Sequence, residues 1–240
     1  MSDLAMADPS SGLRYVTVVT YGRTGSTALQ SALNALPGVV VRGENYEALR
    51  GLHRYAQSIA ETADRHHAGR PDHPWYGSAR LDPAEVLADL RAHVVRTVLR
   101  PRKDTRWLGF KEVRYTPGHF ASYDDLLDYL LFLGKLLPGL VYVLNVREAG
   151  AAARSGWWPD DPAAIATLET SRRWLTDAHV DLTRMLGTGR SALLDYEDWA
   201  GRPSSVLEAF AGLGLPRDDD AVLTALGTRL EHGPHAGRTA

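Results

Sequence analysis

The chain has 240 residues, of which 44% are apolar and 23% are charged, so it can bury a substantial core and we expect one domain. Its formal net charge of −2 argues against the basic field with which proteins bind nucleic acid nonspecifically. The sequence contains no cysteine, which excludes disulfides, thiolate catalysis and cysteine-ligated zinc.

The N-terminal segment is acidic and lacks the basic and apolar regions of a secretion signal. The most apolar run, residues 126–146, is interrupted by Asp128, Lys135 and Pro138 before it reaches membrane-spanning length. We therefore expect a cytoplasmic protein with no membrane span, and a disordered N-terminus over residues 1–12.

Apolar runs of strand length alternate with helical patterns along the chain, and we find no internal repeat. The predicted strands lie near residues 15–20, 38–42, 106–111, 140–146 and 190–195. The predicted helices lie near residues 26–36, 45–65, 83–99, 123–137, 162–186, 203–213 and 219–229. This alternation predicts a three-layer α/β/α fold with a mainly parallel sheet, which binds ligands at the carboxyl ends of its strands.

The first predicted strand runs into a loop with two glycines that opens the first helix, in the sequence YVTVVTYGRTGSTALQS. Glycine lets the backbone approach an anion closely, and the N–H groups that begin a helix are unpaired. We therefore expect an anionic ligand here, although a tight turn can need glycine for steric reasons alone. The segment, called the glycine loop below, consists of Gly22, Arg23, Thr24, Gly25, Ser26 and Thr27.

The glycine loop differs from the P-loop of nucleoside triphosphate-binding proteins, which places four residues between its glycines and a Lys before Ser/Thr. Only two residues separate Gly22 from Gly25, which directly precedes Ser26, and the cation is Arg23. A triphosphate site also needs magnesium ligands, and among the strand ends only Asp195 could supply one.

A second anion site is predicted after the fourth strand. Arg147 follows the apolar run of residues 140–146, and Ser155 lies eight positions later. A guanidinium is suited to phosphate, and a serine hydroxyl adds a donor. The alternative is that Arg147 is a solvated residue at a strand end and that Ser155 has no role beyond its place in the loop.

Four segments together resemble the sulfotransferases that use 3′-phosphoadenosine 5′-phosphosulfate (PAPS), notably bacterial sulfotransferases and the protein-tyrosine sulfotransferase branch. They are TYGRTGST at 20–27, LGFKEVRY at 108–115, REAGAAARS at 147–155 and LDYEDW at 194–199. The resemblance spans about residues 15–200. It implies that the glycine loop holds the 5′-phosphosulfate, that Arg147 and Ser155 hold the 3′-phosphate, and that Tyr196 contacts adenine.

The resemblance also implies one sulfotransferase domain over residues 13–240, with a helical or loop insertion at about 45–104. PAPS would be the cosubstrate, no metal would be required, and the acceptor would be a hydroxyl of a small molecule, glycan or lipid. Two features depart from the cytosolic steroid and phenol sulfotransferases: Ala28 replaces the tryptophan that stacks on adenine, and the C-terminal Arg-Lys-Gly clamp is absent. The tail with Arg238 could close over the nucleotide instead.

Glu44 is the predicted general base. It follows the second strand, so we expect it beside the glycine loop, and Arg42-Gly43-Glu44-Asn45 resembles a segment whose glutamate is the base in several branches of the family. Its alternative role is to cap a helix that begins at Asn45.

Arg23 and Lys111 are predicted to stabilise negative charge on the leaving phosphate oxygen. Lys111 could instead pair with Glu112 or Glu44. The resulting hypothesis is PAPS-dependent O-sulfation. Its alternatives are an ATP-dependent P-loop phosphotransferase and a noncatalytic nucleotide-binding module.

Overall fold

The computed structural model describes residues 12–228. The expectations for residues 1–11 and for Arg238 lie outside the described residues. The centre of the fold is a five-stranded parallel sheet of order β2-β3-β1-β4-β5. The strands are β1 (Arg14–Thr20), β2 (Val39–Arg42), β3 (Trp107–Glu112), β4 (Val141–Val146) and β5 (Ser191–Asp195). All five predicted strands and the predicted parallel sheet are confirmed.

Helices follow the strands much as the sequence predicts. Those anticipated are α1 (Ser26–Ala35), α2 (Ala48–Arg65), α3 (Pro83–Val94), α4 (Tyr123–Leu136), α6 (Ala164–Leu186), α8 (Ser204–Gly212) and α9 (Asp219–Gly227). The short helices α5 (Ala149–Ala153) and α7 (Tyr196–Gly201) were not predicted. A π-helical turn, Val95–Leu99, continues α3. None of the helices within residues 12–228 is both long and apolar enough to cross a bilayer.

The sheet is covered on both faces, which gives the predicted three layers. Along β1, Tyr15 and Val19 belong to one buried apolar cluster, whereas Val16 and Val18 belong to the other. The first cluster includes the inward faces of α4 and α6, and the second includes those of α1 and α8. Because strand side chains alternate between faces, one apolar strand can supply both cores.

Candidate active site

The glycine loop joins the carboxyl end of β1 to the first turn of α1. Gly25 occupies the cap position of α1 with a φ of 78°, and within residues 12–228 no side chain bonds to this cap. The first turn also carries no acidic residue. The unpaired N–H groups and the positive end of the helix dipole are therefore available to an anion.

Aromatic rings cover both glycines of the loop. A Cβ atom added at Gly25 would lie 2.6 Å from the Tyr196 ring and 2.8 Å from Trp199, and one added at Gly22 would collide with the Trp157 indole. The steric explanation of the two glycines is thus also correct. It does not compete with anion binding, because Tyr196 and Trp199 also line the cavity beside the loop.

Gly25→Ala is expected to lower the free energy of unfolding by about 1 to 3 kcal/mol, because alanine is disfavoured at positive φ and would meet the two rings. Urea unfolding measures the change. Gly51→Ala is the matched control: Gly51 lies within α2, where an added Cβ meets nothing in the described structure within 4 Å. The free energy of unfolding of Gly51→Ala should rise by about 0.5 to 1 kcal/mol. A Gly25→Ala protein as stable as the wild type would contradict this account of the loop.

Asn145 anchors the glycine loop from beneath. Its amide nitrogen donates to the Thr24 carbonyl at 2.8 Å, and its amide oxygen accepts from the Trp199 indole at 3.0 Å. The Thr20 and Thr24 hydroxyls are also hydrogen bonded, at 2.7 Å. Sequence reasoning missed Asn145 because it lies inside the apolar run of β4, and only its complete burial among polar partners identifies it.

Arg23, Arg147 and Ser155 lie together, although Arg23 and Ser155 are 132 residues apart in the chain. Arg23 Nε donates to Ser155 Oγ at 2.9 Å, and Arg147 Nη1 donates to the Arg23 carbonyl at 2.9 Å. Arg23 has a left-handed backbone, with a φ of 71°, which presents its carbonyl to Arg147. The glycine loop and the Arg147–Ser155 segment therefore form one cationic region.

Neighbouring residues fix both the side chain and the backbone of Arg147. Its guanidinium carbon lies 4.3 Å from the Tyr196 ring centroid, and Nε lies 3.5 Å from Glu197 Oε1. Burial raises the pKa of Tyr21 to about 12, so its hydroxyl stays protonated. That hydroxyl donates to the Arg147 carbonyl and accepts from the Arg147 N–H at 2.8 Å. A cation fixed in this way is preorganised for an anionic group.

A cavity of about 610 Å³ opens on this region. Arg23, Arg147 and the first turn of α1 supply its charged and polar lining, and residues of α7 and α9 supply much of its apolar lining. The volume is within the range of small-ligand sites. Residues that line it beyond the predicted set are Ala28, Trp199, Ala200, Pro203, Leu223, Leu226, Gly227 and Thr228. Helix α9 was predicted as a helix but not as part of the cavity, because nothing local in its sequence distinguishes a cavity wall from a core helix.

Glu44 and Lys111 form an ion pair, with Lys111 Nζ 2.7 Å from Glu44 Oε1. Lys111 is almost fully buried, whereas 37% of the Glu44 side chain is exposed. The sequence predicts Glu44 beside the glycine loop, but β3 lies between β2 and β1. In the described structure Glu44 instead meets Lys111 at the end of β3. The same carboxylate lies 3.5 Å from Arg114 Nη1.

The capping alternative for Glu44 is wrong. Helix α2 begins at Ala48, and Glu47 occupies its cap position. Of the two partners considered for Lys111 in its alternative, structural role, the structure shows Glu44, and Glu112 instead accepts from Arg114 at 2.8 Å. Arg114 also forms a backbone bridge to Tyr21, which directly precedes the glycine loop. The carboxylate and the loop are therefore linked through one arginine.

Solved structures of similar fold include the sulfotransferase domain of the olefin synthase from Synechococcus PCC 7002. It is 20% identical to this chain, with a TM-score of 0.55 over 91% of this chain and 79% of that one. The chain has a sulfotransferase fold. Neither a family model nor a curated protein matches the sequence.

Two further sulfotransferase structures are more distant. STF1 from Mycobacterium tuberculosis H37Rv is 17% identical over 90% of this chain and 71% of that one, with a TM-score of 0.45. The sulfotransferase domain from the curacin biosynthetic pathway is 13% identical over 93% of this chain and 81% of that one, also with a TM-score of 0.45.

Proposed function

We propose that this sulfotransferase-fold protein transfers the sulfuryl group of PAPS to a hydroxyl of an acceptor. The observation that carries the proposal is a nucleotide-sized cavity lined by Arg23, Arg147 and Gly25 to Thr27 of the glycine loop, with Ser155 bound to Arg23 at 2.9 Å. PAPS carries phosphate at both ends of one ribose, so it requires two neighbouring cationic positions and an apolar place for its base. Tyr196 and the apolar residues that line the cavity meet the last requirement.

In the proposed reaction the acceptor oxygen bonds to sulfur while the bond from sulfur to the 5′-phosphate oxygen breaks. The acceptor proton passes to Glu44, and the products are 3′,5′-ADP and a sulfate ester. Arg23 and the N–H groups of the glycine loop stabilise the negative charge that develops on the leaving phosphate. The sequence predicts Lys111 at the leaving phosphate oxygen, but its Nζ lies 2.7 Å from Glu44 Oε1. We propose instead that Lys111 orients the carboxylate of the base.

The ATP-dependent alternative needs a magnesium ligand, and the carboxylate of Asp195 is already engaged. One Asp195 oxygen lies 2.6 Å from Arg172 Nη2, and the other accepts from the Glu197 N–H at 3.1 Å. Within residues 12–228 no group of three or more His, Cys, Asp or Glu side chains is arranged to hold a metal. Independence of metal nevertheless stays a prediction, which the experiment below includes.

We expect 3′,5′-ADP to stabilise the protein more than 5′-AMP in the presence of EDTA, because only the former engages both cationic positions. A ligand at a hundredfold excess over its Kd adds about 2.7 kcal/mol to stability. For a chain of this size that shift corresponds to about 5 to 10 °C in Tm, which differential scanning fluorimetry resolves.

Arg147→Ala should abolish the difference between the two nucleotides. Arg184→Ala is the matched control, since Arg184 lies on α6 with 74% of its side chain exposed and should leave the difference intact. Equal shifts from 3′,5′-ADP and 5′-AMP in the wild type would contradict the two-phosphate site. Stabilisation by ATP only when Mg²⁺ is present would favour the phosphotransferase.

A further inference from the structure

The turn that carries Glu44 has an unusual backbone. Tyr46 and Glu47, which are consecutive, both have left-handed conformations, with φ values of 56° and 60°. Residues with side chains disfavour this region, and such strain concentrates at functional sites. A buried carboxylate holds the turn, because Glu112 Oε2 accepts from the N–H groups of Asn45 and Glu47, both at 3.3 Å.

The strained turn projects the Tyr46 ring into solvent. Tyr46 is 80% exposed, more than any other large apolar or aromatic residue identified on the described surface. The guanidinium carbon of Arg114 lies 4.2 Å from the ring centroid. Arg114 is itself fixed by Glu112 at 2.8 Å, so the tyrosine is supported by a second charged residue.

Tyr46 stands beside the proposed reaction centre. The Arg114 guanidinium that contacts its ring also lies 3.5 Å from Glu44 Oε2. The Arg114 backbone bridges to Tyr21, next to Gly22. The exposed ring, the proposed base and the start of the glycine loop are therefore all neighbours of one arginine.

We propose that Tyr46 is a stacking platform for an aromatic acceptor, which it holds with the reacting hydroxyl towards Glu44. This inference rests on the proposed function, since it names the acceptor class of the same site. An exposed ring pinned at a fixed angle loses little conformational entropy when a second ring stacks on it. Contact with Arg114 restricts rotation of the Tyr46 ring. The left-handed turn sets the direction in which that ring points.

The test is isothermal titration with 2-naphthol, with and without saturating 3′,5′-ADP. We expect binding to the wild type, and binding at least several-fold weaker for decahydro-2-naphthol, which has a similar shape but no π-system. Tyr46→Ala should weaken 2-naphthol binding by about 5- to 10-fold, and Tyr46→Phe should retain it. Tyr55→Ala is the matched control, because Tyr55 is 50% exposed on α2 and should leave the affinity unchanged.

Tyr46→Gly separates recognition from a structural role. Glycine accepts the left-handed backbone at no cost, so the variant should melt at or above the wild-type temperature while losing 2-naphthol affinity. Unchanged 2-naphthol affinity in Tyr46→Ala, equal binding of the saturated analogue, no binding of 2-naphthol by the wild type, or tighter binding of methyl glucoside would each overturn the inference. The titration of 3′,5′-ADP alone tests the proposed function separately, because Tyr46 variants should bind it with wild-type Kd.

Discussion

Arg23→Ala is expected to lower kcat for sulfuryl transfer by about 10²- to 10³-fold, the range seen when one preorganised donor to a developing anion is removed. The guanidinium lies at the junction of the glycine loop and Ser155, with Nε committed to Ser155 Oγ at 2.9 Å. In the proposed reaction, its remaining N–H groups would bind the leaving phosphate of PAPS. The measurement is single-turnover transfer from radiolabelled PAPS to the best acceptor in a panel of phenols, alcohols and sugars.

Two comparisons make this result specific to the Arg23 side chain. The left-handed backbone at position 23 costs alanine and arginine a similar free energy, so the stability of the protein should change little. Arg154→Ala, an exposed arginine beside Ser155, is the matched control and should turn over at nearly the wild-type rate. A loss in Arg23→Ala that appears only in the Kd for 3′,5′-ADP, with kcat preserved, would make Arg23 a binding residue and remove it from the catalytic step.

The secondary structure was predictable because its signals are local. Asp82 accepts from the N–H groups of Ala84 and Glu85, at 2.8 and 3.3 Å, and Ser122 accepts from that of Asp125 at 3.2 Å. Asp and Ser are favoured residues at helix N-caps, so the starts of α3 and α4 can be located from the sequence. Helices α5 and α7 escaped prediction because five or six residues are too few to show a helical period.

The strand order was not predictable in the same way, because it depends on contacts between distant segments. Insertion of β3 between β1 and β2 decides that Glu44 meets Lys111 and Arg114. From the sequence, Lys111 could pair with Glu44 or Glu112, and the sheet order determines which of them it meets. The cationic region was predicted correctly because β4 pairs directly with β1, so the arginine after β4 lies next to the glycine loop at the same edge of the sheet.

Buried polar residues were the least predictable part of the site. Asn145 lies within the apolar strand β4, and Glu112 lies at the end of β3. The sequence around such a buried polar residue does not indicate which group it binds. Their roles follow from burial, because a buried amide or carboxylate must find hydrogen bonds. Asn145 finds them in the glycine loop and Trp199, and Glu112 finds them in Arg114 and the turn before α2.

Glu44→Gln should lower kcat by about 10²-fold or more, because an amide cannot accept the acceptor proton. The Kd for 3′,5′-ADP should stay within a few-fold of the wild type, since the lost interaction belongs to the transition state. Glutamine keeps the shape of the side chain but ends the ion pair with Lys111. A melting curve therefore accompanies single-turnover transfer at saturating PAPS and acceptor, so that a loss of folded protein is not mistaken for a loss of catalysis.

Glu47→Gln is the matched control for the base. Glu47 lies in the same turn, and its carboxylate contacts Arg50 at 3.5 Å and His119 at 2.7 Å. Its loss should affect stability more than turnover, whereas Glu44→Gln should show the reverse. If both variants lose kcat equally, the effect comes from the turn and not from proton transfer. If Glu44→Gln turns over at the wild-type rate, Glu44 is not the base. Its ion pair with Lys111 then has only a structural role at the end of β3.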